Sequence, residues 1–212
     1  MRTNSPRFVP HAELPNGVAY ELFVFETNSV PTREGLHDFF NGLVWLSFPT
    51  TKRLLNRLQA IEIARAGVAP LRGPVRDAVT LLDESAVLLQ APDALWTALL
   101  ARDWRRLFVD LRPLWAQARL VLFGHALTEK LVTPYKAITG HVLRASVPLA
   151  IGGDLTAWDD WLTAYLSTAQ LTTKWFTPLP IAGIPGWWPE NQDLTFYGDT
   201  QVFRLSPASS VV

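Results

Sequence analysis

The sequence predicts an α+β fold: one helix-rich domain with a few short strands and an extended aromatic, proline-rich C-terminal segment. Three observations carry that reading. Some stretches space their apolar residues for a helix, as Leu54, Leu55, Leu58 and Ile61 do, which gathers them on one stripe. Others are short and rich in β-branched and aromatic residues, the composition of a strand. The two kinds alternate without the regular strand–helix beat of a doubly wound sheet. No linker divides the 212 residues, so 1–212 is read as a single domain with loose ends at 1–17 and 206–212.

Taken in order, VAYELFVFET at 18–27 reads as a strand and NSVPTREG as a loop. A helix starts near His37 and breaks at Pro49, where SFPTT supplies a fresh first turn. The next helix runs through TKRLLNRLQAIEIARAG, with Gly67 as its stop. GPVRDAVTLLDESAVLLQA, residues 73–91, reads as two short strands around a turn at Asp83, Glu84 and Ser85. A helix beginning at Asp77 competes with that reading, because short apolar runs do not decide by period alone. From Pro92 to Pro134 two or three helices follow, one opened by Pro113. HVLRASVPLAI, 141–151, reads as a strand, and an amphipathic helix follows with Asp154 at its cap. The tail after Phe176 has many prolines and glycines and no helical period. Its apolar residues need cover, so it should lie across the fold as an extended segment.

Composition bounds the function. Apolar residues make up 49% and charged residues 18%, which excludes disorder as the main state. Nineteen basic residues balance nineteen acidic ones, so no dedicated nucleic-acid binder is expected, since such affinity comes from neutralising phosphates. There is no cysteine, which removes disulfides, thiolate nucleophiles and thiolate metal sites. No apolar stretch reaches membrane-spanning length and the first residues lack a signal-peptide core. A cytoplasmic protein with no membrane association is expected. The nine tryptophans read chiefly as a large aromatic core, each ring N–H needing a partner. Phosphate-loop, dinucleotide-turn and serine-elbow motifs are all missing from the chain.

What remains as chemistry is a scattered set of polar residues in apolar surroundings. His125 and Glu129 are four apart in FGHALTEKL, on one helix face, where both can hold one metal ion or one can orient the other. A surface pair or a satisfied core histidine explains that spacing too. His37 and Asn41 repeat it in LHDFFN, with Asp38 between them as either a helix-start residue or a proton carrier. His141 follows the Pro134 break, together with Tyr135 and Lys136. His37, His125, Glu129 and His141 make a ligand set for Zn, Mn or Fe, with Asp38, Lys136, Asp77 and Glu84 as proton-moving residues. Arg33 and Arg76 can fork around a carboxylate or phosphate, and Asn41 and Tyr135 can add hydrogen bonds. Trp187 and Trp188 in GIPGWWPEN either lid a cleft or pack the tail down. Arg76 beside Asp77 and the pair Asp83–Glu84 equally suit fold-stabilising contacts.

Four blocks, VPTREGLHDFFNGLVWLSFPTTKRLLNRLQA, GPVRDAVTLLDES, LFGHALTEKLVTPYKAITGH and PLPIAGIPGWWPENQDLTFYGDTQVFR, resemble a family of bacterial proteins of unknown function, DUF3025, from about Glu26 to Arg204. The family pattern falls on His37, Asp38, Asn41, Arg76, Asp77, Asp83, Glu84, His125, Glu129, Lys130, Tyr135, Lys136 and His141. The resemblance implies a self-contained domain and brings no activity with it. Two functions are therefore carried forward. One is an enzyme, a metal-dependent or histidine–carboxylate hydrolase of a small or anionic substrate. The other is a non-catalytic ligand-binding or regulatory module with a buried polar network. An enzyme would gather these residues in one place, His37 facing His125 and Glu129 across a cleft, whereas a structural network would satisfy them against each other.

Overall fold

A computed structural model describes residues 6–66, 73–168 and 171–205. They form an α+β domain around a four-stranded sheet in the order β4-β3-β5-β6, with a separate two-stranded parallel sheet, β1-β2. The strands are β1 Arg7–Pro10, β2 Ser29–Thr32, β3 Ala86–Gln90, β4 Arg119–Leu122, β5 Thr139–Leu143 and β6 Phe176–Pro180. The α-helices are α1 Tyr20–Thr27, α2 Leu36–Ser47, α3 Pro49–Ala66, α4 Pro74–Ser85, α5 Asp93–Ala101, α6 His125–Lys130 and α7 Leu155–Thr168.

Strand β3 is buried along its whole length and sorts its side chains onto two cores, as the period of two requires. Ala86 and Leu88 face a core with Phe48, Leu82, Phe123 and Trp158, beneath α2, α3, α4 and α7. Val87 and Leu89 face the opposite core with Leu95, Phe108, Leu179 and Phe196, closed by α5 and the tail. β3 pairs antiparallel with β4 and parallel with β5. The small sheet sits apart, over Val24, Val30 and Trp45.

Several local expectations are corrected. Residues 20–27 are helical, not a strand: Tyr20 and Val24, one turn apart, pack against Trp45, and Asn28 ends the helix in the left-handed region at φ 51°. The strand comes next, inside the expected loop, where Ser29–Thr32 pairs with Arg7–Pro10. That pairing gives a strand to a segment read as a loose end. Residues 74–85 form one helix rather than a hairpin. Pro74 opens it, and Ala78, Val79 and Leu82 share its buried face. Only Ala86–Gln90 of that stretch is strand.

In the block read as wholly helical, a π-turn at Arg106–Asp110 and a 3-10 helix at Arg112–Gln117 follow α5, and Arg119–Leu122 is a strand held by β3. The strand read over 141–151 is confined to Thr139–Leu143. The tail packs across the fold as expected, contributing β6 and three 3-10 turns. Its Asn191 is fully buried and donates to the carbonyls of Ala182 and Ile184. The expected stop at Gly67 and the end 206–212 lie outside the described residues.

Candidate metal centre

Three helix ends meet at one point: the last turn of α4 (Asp83, Glu84), the first residue of α6 (His125) and the second residue of α2 (His37). Gly124 permits the approach of α6, because a Cβ there would stand 2.4 Å from the Ser85 backbone nitrogen. The Ala86 carbonyl accepts from the Phe123 and Gly124 amides, at 3.1 and 2.9 Å, and fixes the entry. α2 lies against α6, which brings His37 over the buried ring of His125.

The proton positions follow from the partners. His125 Nδ1 lies 2.8 Å from the carbonyl oxygen of Asp83. That oxygen is an end-of-helix acceptor with no partner further along the helix. A carbonyl only accepts, so Nδ1 carries the hydrogen. Burial, the largest influence, holds the ring's pKa below the ordinary histidine value and keeps it neutral, although Asp83 opposes this. Nε2 of His125 therefore carries a bare lone pair. His37 Nδ1 donates to Glu129 Oε2 at 2.9 Å, which leaves Nε2 of a neutral His37 bare as well. These two Nε2 atoms face each other at 3.1 Å, with the rings edge to face.

Two bare nitrogens at that distance repel unless a cation, metal or proton, lies with them. Glu84 Oε2 is 3.7 Å from His125 Nε2. His37, Glu84 and His125 are the described group whose ligand atoms all lie within 4.8 Å of one another. Nitrogens about 2.05 Å from one ion and 3.1 Å apart subtend about 98° at it, between the octahedral and tetrahedral angles. The set fits the two-histidine, one-carboxylate donor pattern of open metal sites. Each histidine's remaining N–H is held by a carbonyl or a carboxylate, the usual second layer around such ligands.

Behind this cluster lies a second, more buried one. Lys52, its side chain 5% exposed, pairs with Asp83 and donates to Asn41 Oδ1 at 2.9 Å. Asn56 donates to Glu21 Oε2 at 2.6 Å, and burial pushes the Glu21 carboxyl above its ordinary pKa. Burial also drives Tyr20 far up, with its hydroxyl beside Asn41.

The sequence candidates divide accordingly. His37 and His125 come together, Glu84 joins them, and Glu129 orients His37 instead of completing the ligand set. His141 is outside the cluster. It lies on β5 opposite Pro178 with its Nδ1 buried and without a hydrogen-bond partner, and burial holds its pKa down, helped by Lys130. Asp38 accepts from the Arg33 amide at 2.6 Å and ties the incoming loop to α2. Arg33 is exposed beside it. Arg76 bonds Gln59 and Asp77 lies exposed in the first turn of α4. Lys136 pairs with Asp199 at 2.9 Å and covers the Phe196 ring. Trp188 packs into the second core, while Tyr135 and Trp187 stand exposed. No hydrogen bond or ion pair among the described residues joins these to His37, Glu84 or His125. Lys52 escaped the sequence reading, although a signal exists: Lys52, Asn56 and Gln59 repeat at helical spacing beside Leu55.

A family model described as a protein of unknown function, DUF3025, matches residues 6–206. The chain belongs to the DUF3025 family. The match spans β1 through the tail, so all three helix ends of this DUF3025 protein lie within it. No curated protein and no solved structure matches the chain. No described helix is long and apolar enough to cross a membrane.

Proposed function

We propose that this DUF3025 protein is a divalent-metal-dependent hydrolase of a small substrate, its ion held by His37 Nε2, His125 Nε2 and Glu84. One observation carries the reading: two ring nitrogens, each with its other N–H already donated, face each other at 3.1 Å beside a carboxylate. A divalent ion with an open position polarises a carbonyl or phosphoryl oxygen and lowers the pKa of water. The side chains do the rest. Glu84, 39% exposed and 3.7 Å from His125 Nε2, would supply the carboxylate ligand. The Asp83 carbonyl holds the His125 tautomer, and the Lys52–Asp83 pair fixes that turn of α4. Glu129 orients His37 through Oε2, and its Oε1 receives a proton from the attacking water and returns it to the leaving group. The Asp38 and Lys136 side chains, engaged elsewhere, have no part in this mechanism.

The test is the metal content of purified, untagged protein by elemental mass spectrometry, beside His125→Ala and Glu84→Gln. Near-stoichiometric Zn, Mn or Fe in the parent, lost in His125→Ala, supports the reading. Stripped and reloaded protein, assayed against esters, amides and phosphoesters, then identifies the bond. No metal after loading with any of the three removes it, leaving a proton shared by the two rings. The buried cluster around Lys52 and Glu21 would then favour a non-catalytic ligand-binding or regulatory module.

A further inference from the structure

One feature of α2 is left unexplained by its packing. Leu36, Phe39, Leu43 and Leu46 all stand exposed on it, and an apolar surface of this kind beside a polar centre is characteristic of a binding site. Beside that stripe a groove of about 170 Å³ opens between α2, β4 and α6, with Phe40, Leu43, Val121, Leu122, Thr128 and Leu155 among its walls. Two of the three helices that meet at the centre, α2 and α6, contribute to its walls. Phe40 follows His37 by three residues and Thr128 follows His125 by three, so each wall begins one helical turn from a ligand. Thr128 returns its hydroxyl to the Gly124 carbonyl at 3.1 Å, so that hydroxyl is already engaged.

We infer that this groove is the specificity pocket of the metal centre, and that the substrate is an ester or amide whose acyl part carries one small apolar group, a ring or a short branched chain. The inference rests on the hydrolase reading. Volume sets the size: an apolar cavity of about 150 Å³ accepts benzene, whereas drug-sized ligands need about 300 Å³ or more. Adjacency places the reacting bond, since the groove's lining starts at Phe40 and Thr128, each three residues beyond a ligand histidine, and continues in apolar side chains. In the reaction the water oxygen bonds to the acyl carbon and the C–O or C–N bond breaks. The proton taken by Glu129 leaves on the alcohol or amine. The apolar group stays in the groove and is released with the carboxylate.

Hydroxamates test this without knowledge of the substrate, because they chelate the ion and present a chosen group beside it. Zinc-loaded protein, its zinc content measured first, is titrated calorimetrically with acetohydroxamate and benzohydroxamate. The parent should bind benzohydroxamate at least tenfold tighter. Leu43→Asp, an exposed position on one wall, and Leu155→Asn on another should each cut that preference to less than threefold while leaving acetohydroxamate affinity unchanged. Equal binding of the two probes by zinc-loaded parent, or a preference that survives both substitutions, overturns the groove assignment and leaves the metal centre standing. If zinc is not held, the same titrations are run on protein loaded with manganese or iron; failure to hold any of the three overturns the hydrolase reading and the groove with it.

Discussion

Two polar clusters in this protein look alike as inventories and differ as chemistry. In the tail, Arg112 donates to the Asn191 carbonyl, to Asn191 Oδ1 and to the Tyr197 hydroxyl. Asn191 in turn uses both amide hydrogens on backbone carbonyls, and the Tyr197 hydroxyl lies against the Gly183 and Asn191 carbonyls. Donors and acceptors balance there. At the three helix ends each ring's Nδ1 already has an acceptor, yet the two Nε2 atoms face each other at 3.1 Å with a carboxylate beside them, a pair that needs a proton or a metal between them. A balanced buried network holds a fold together, because each missing partner would cost the desolvation of a polar group. An unbalanced one is an invitation to a cation. The lesson is to count hydrogens rather than polar residues.

The sharpest way to break the comparison is to unbalance the balanced cluster. Asn191→Leu leaves the Ala182 and Ile184 carbonyls without their donor and Arg112 Nη2 without its acceptor, while Arg112 keeps the residue-191 carbonyl and the Tyr197 hydroxyl. It should cost at least about 3 kcal/mol in urea unfolding while leaving metal uptake intact in the folded fraction. Added metal should do the reverse at the other cluster. A Zn, Mn or Fe concentration about 100 times the dissociation constant should stabilise the parent by about 2.7 kcal/mol, read as a rise in melting temperature, and should not stabilise His37→Ala.

Glu129→Gln retains an acceptor for His37 but removes its charge. Metal affinity should fall about 10- to 100-fold in competition with a chromogenic chelator, with little change in stability. Gly124→Ala should act in the same direction by pushing His125 away from the Asp83 carbonyl, since the new Cβ meets Ser85 backbone. An unchanged affinity would show that the close approach of α6 is not what positions the ring.

The smallest effect belongs to His141. Burial first, and Lys130 second, hold its folded pKa below the ordinary value, so the unfolded chain binds that proton more readily. Stability is then full above the ordinary histidine pKa of about 6.5 and is lost as pH falls below it. Melting temperatures between pH 7.5 and 5.5 should fall less steeply for His141→Gln than for the parent.

Much of the site was legible in the sequence as residue types in unlikely company: His37 and His125 among apolar neighbours, each with a carboxylate near. Their roles were not. Glu129 shares a helix face with His125 and was read as its co-ligand, yet it serves His37, 92 residues away in sequence. Glu84 was read as a proton carrier at a hairpin turn. It reaches His125 because residues 74–85 are one helix whose end abuts Gly124. Lys136 and His141 follow α6 closely in sequence and Trp188 lies in the tail, but Asp199, strand β5 and the second core engage them instead.

By itself the sequence determined the α+β class, the helices whose apolar stripes repeat over several turns, the packing of the proline-rich tail and the absence of thiol chemistry. Those properties depend on composition and on periods short enough to be read locally. Tertiary structure decided the short elements, turning 20–27 into helix and 119–122 into strand, because a few residues lack the local preference to resist what they pack against. It also decided which nitrogens are bare. A histidine's free lone pair depends on the acceptor its other nitrogen finds, and here both acceptors, the Asp83 carbonyl and Glu129, arrive from distant parts of the chain.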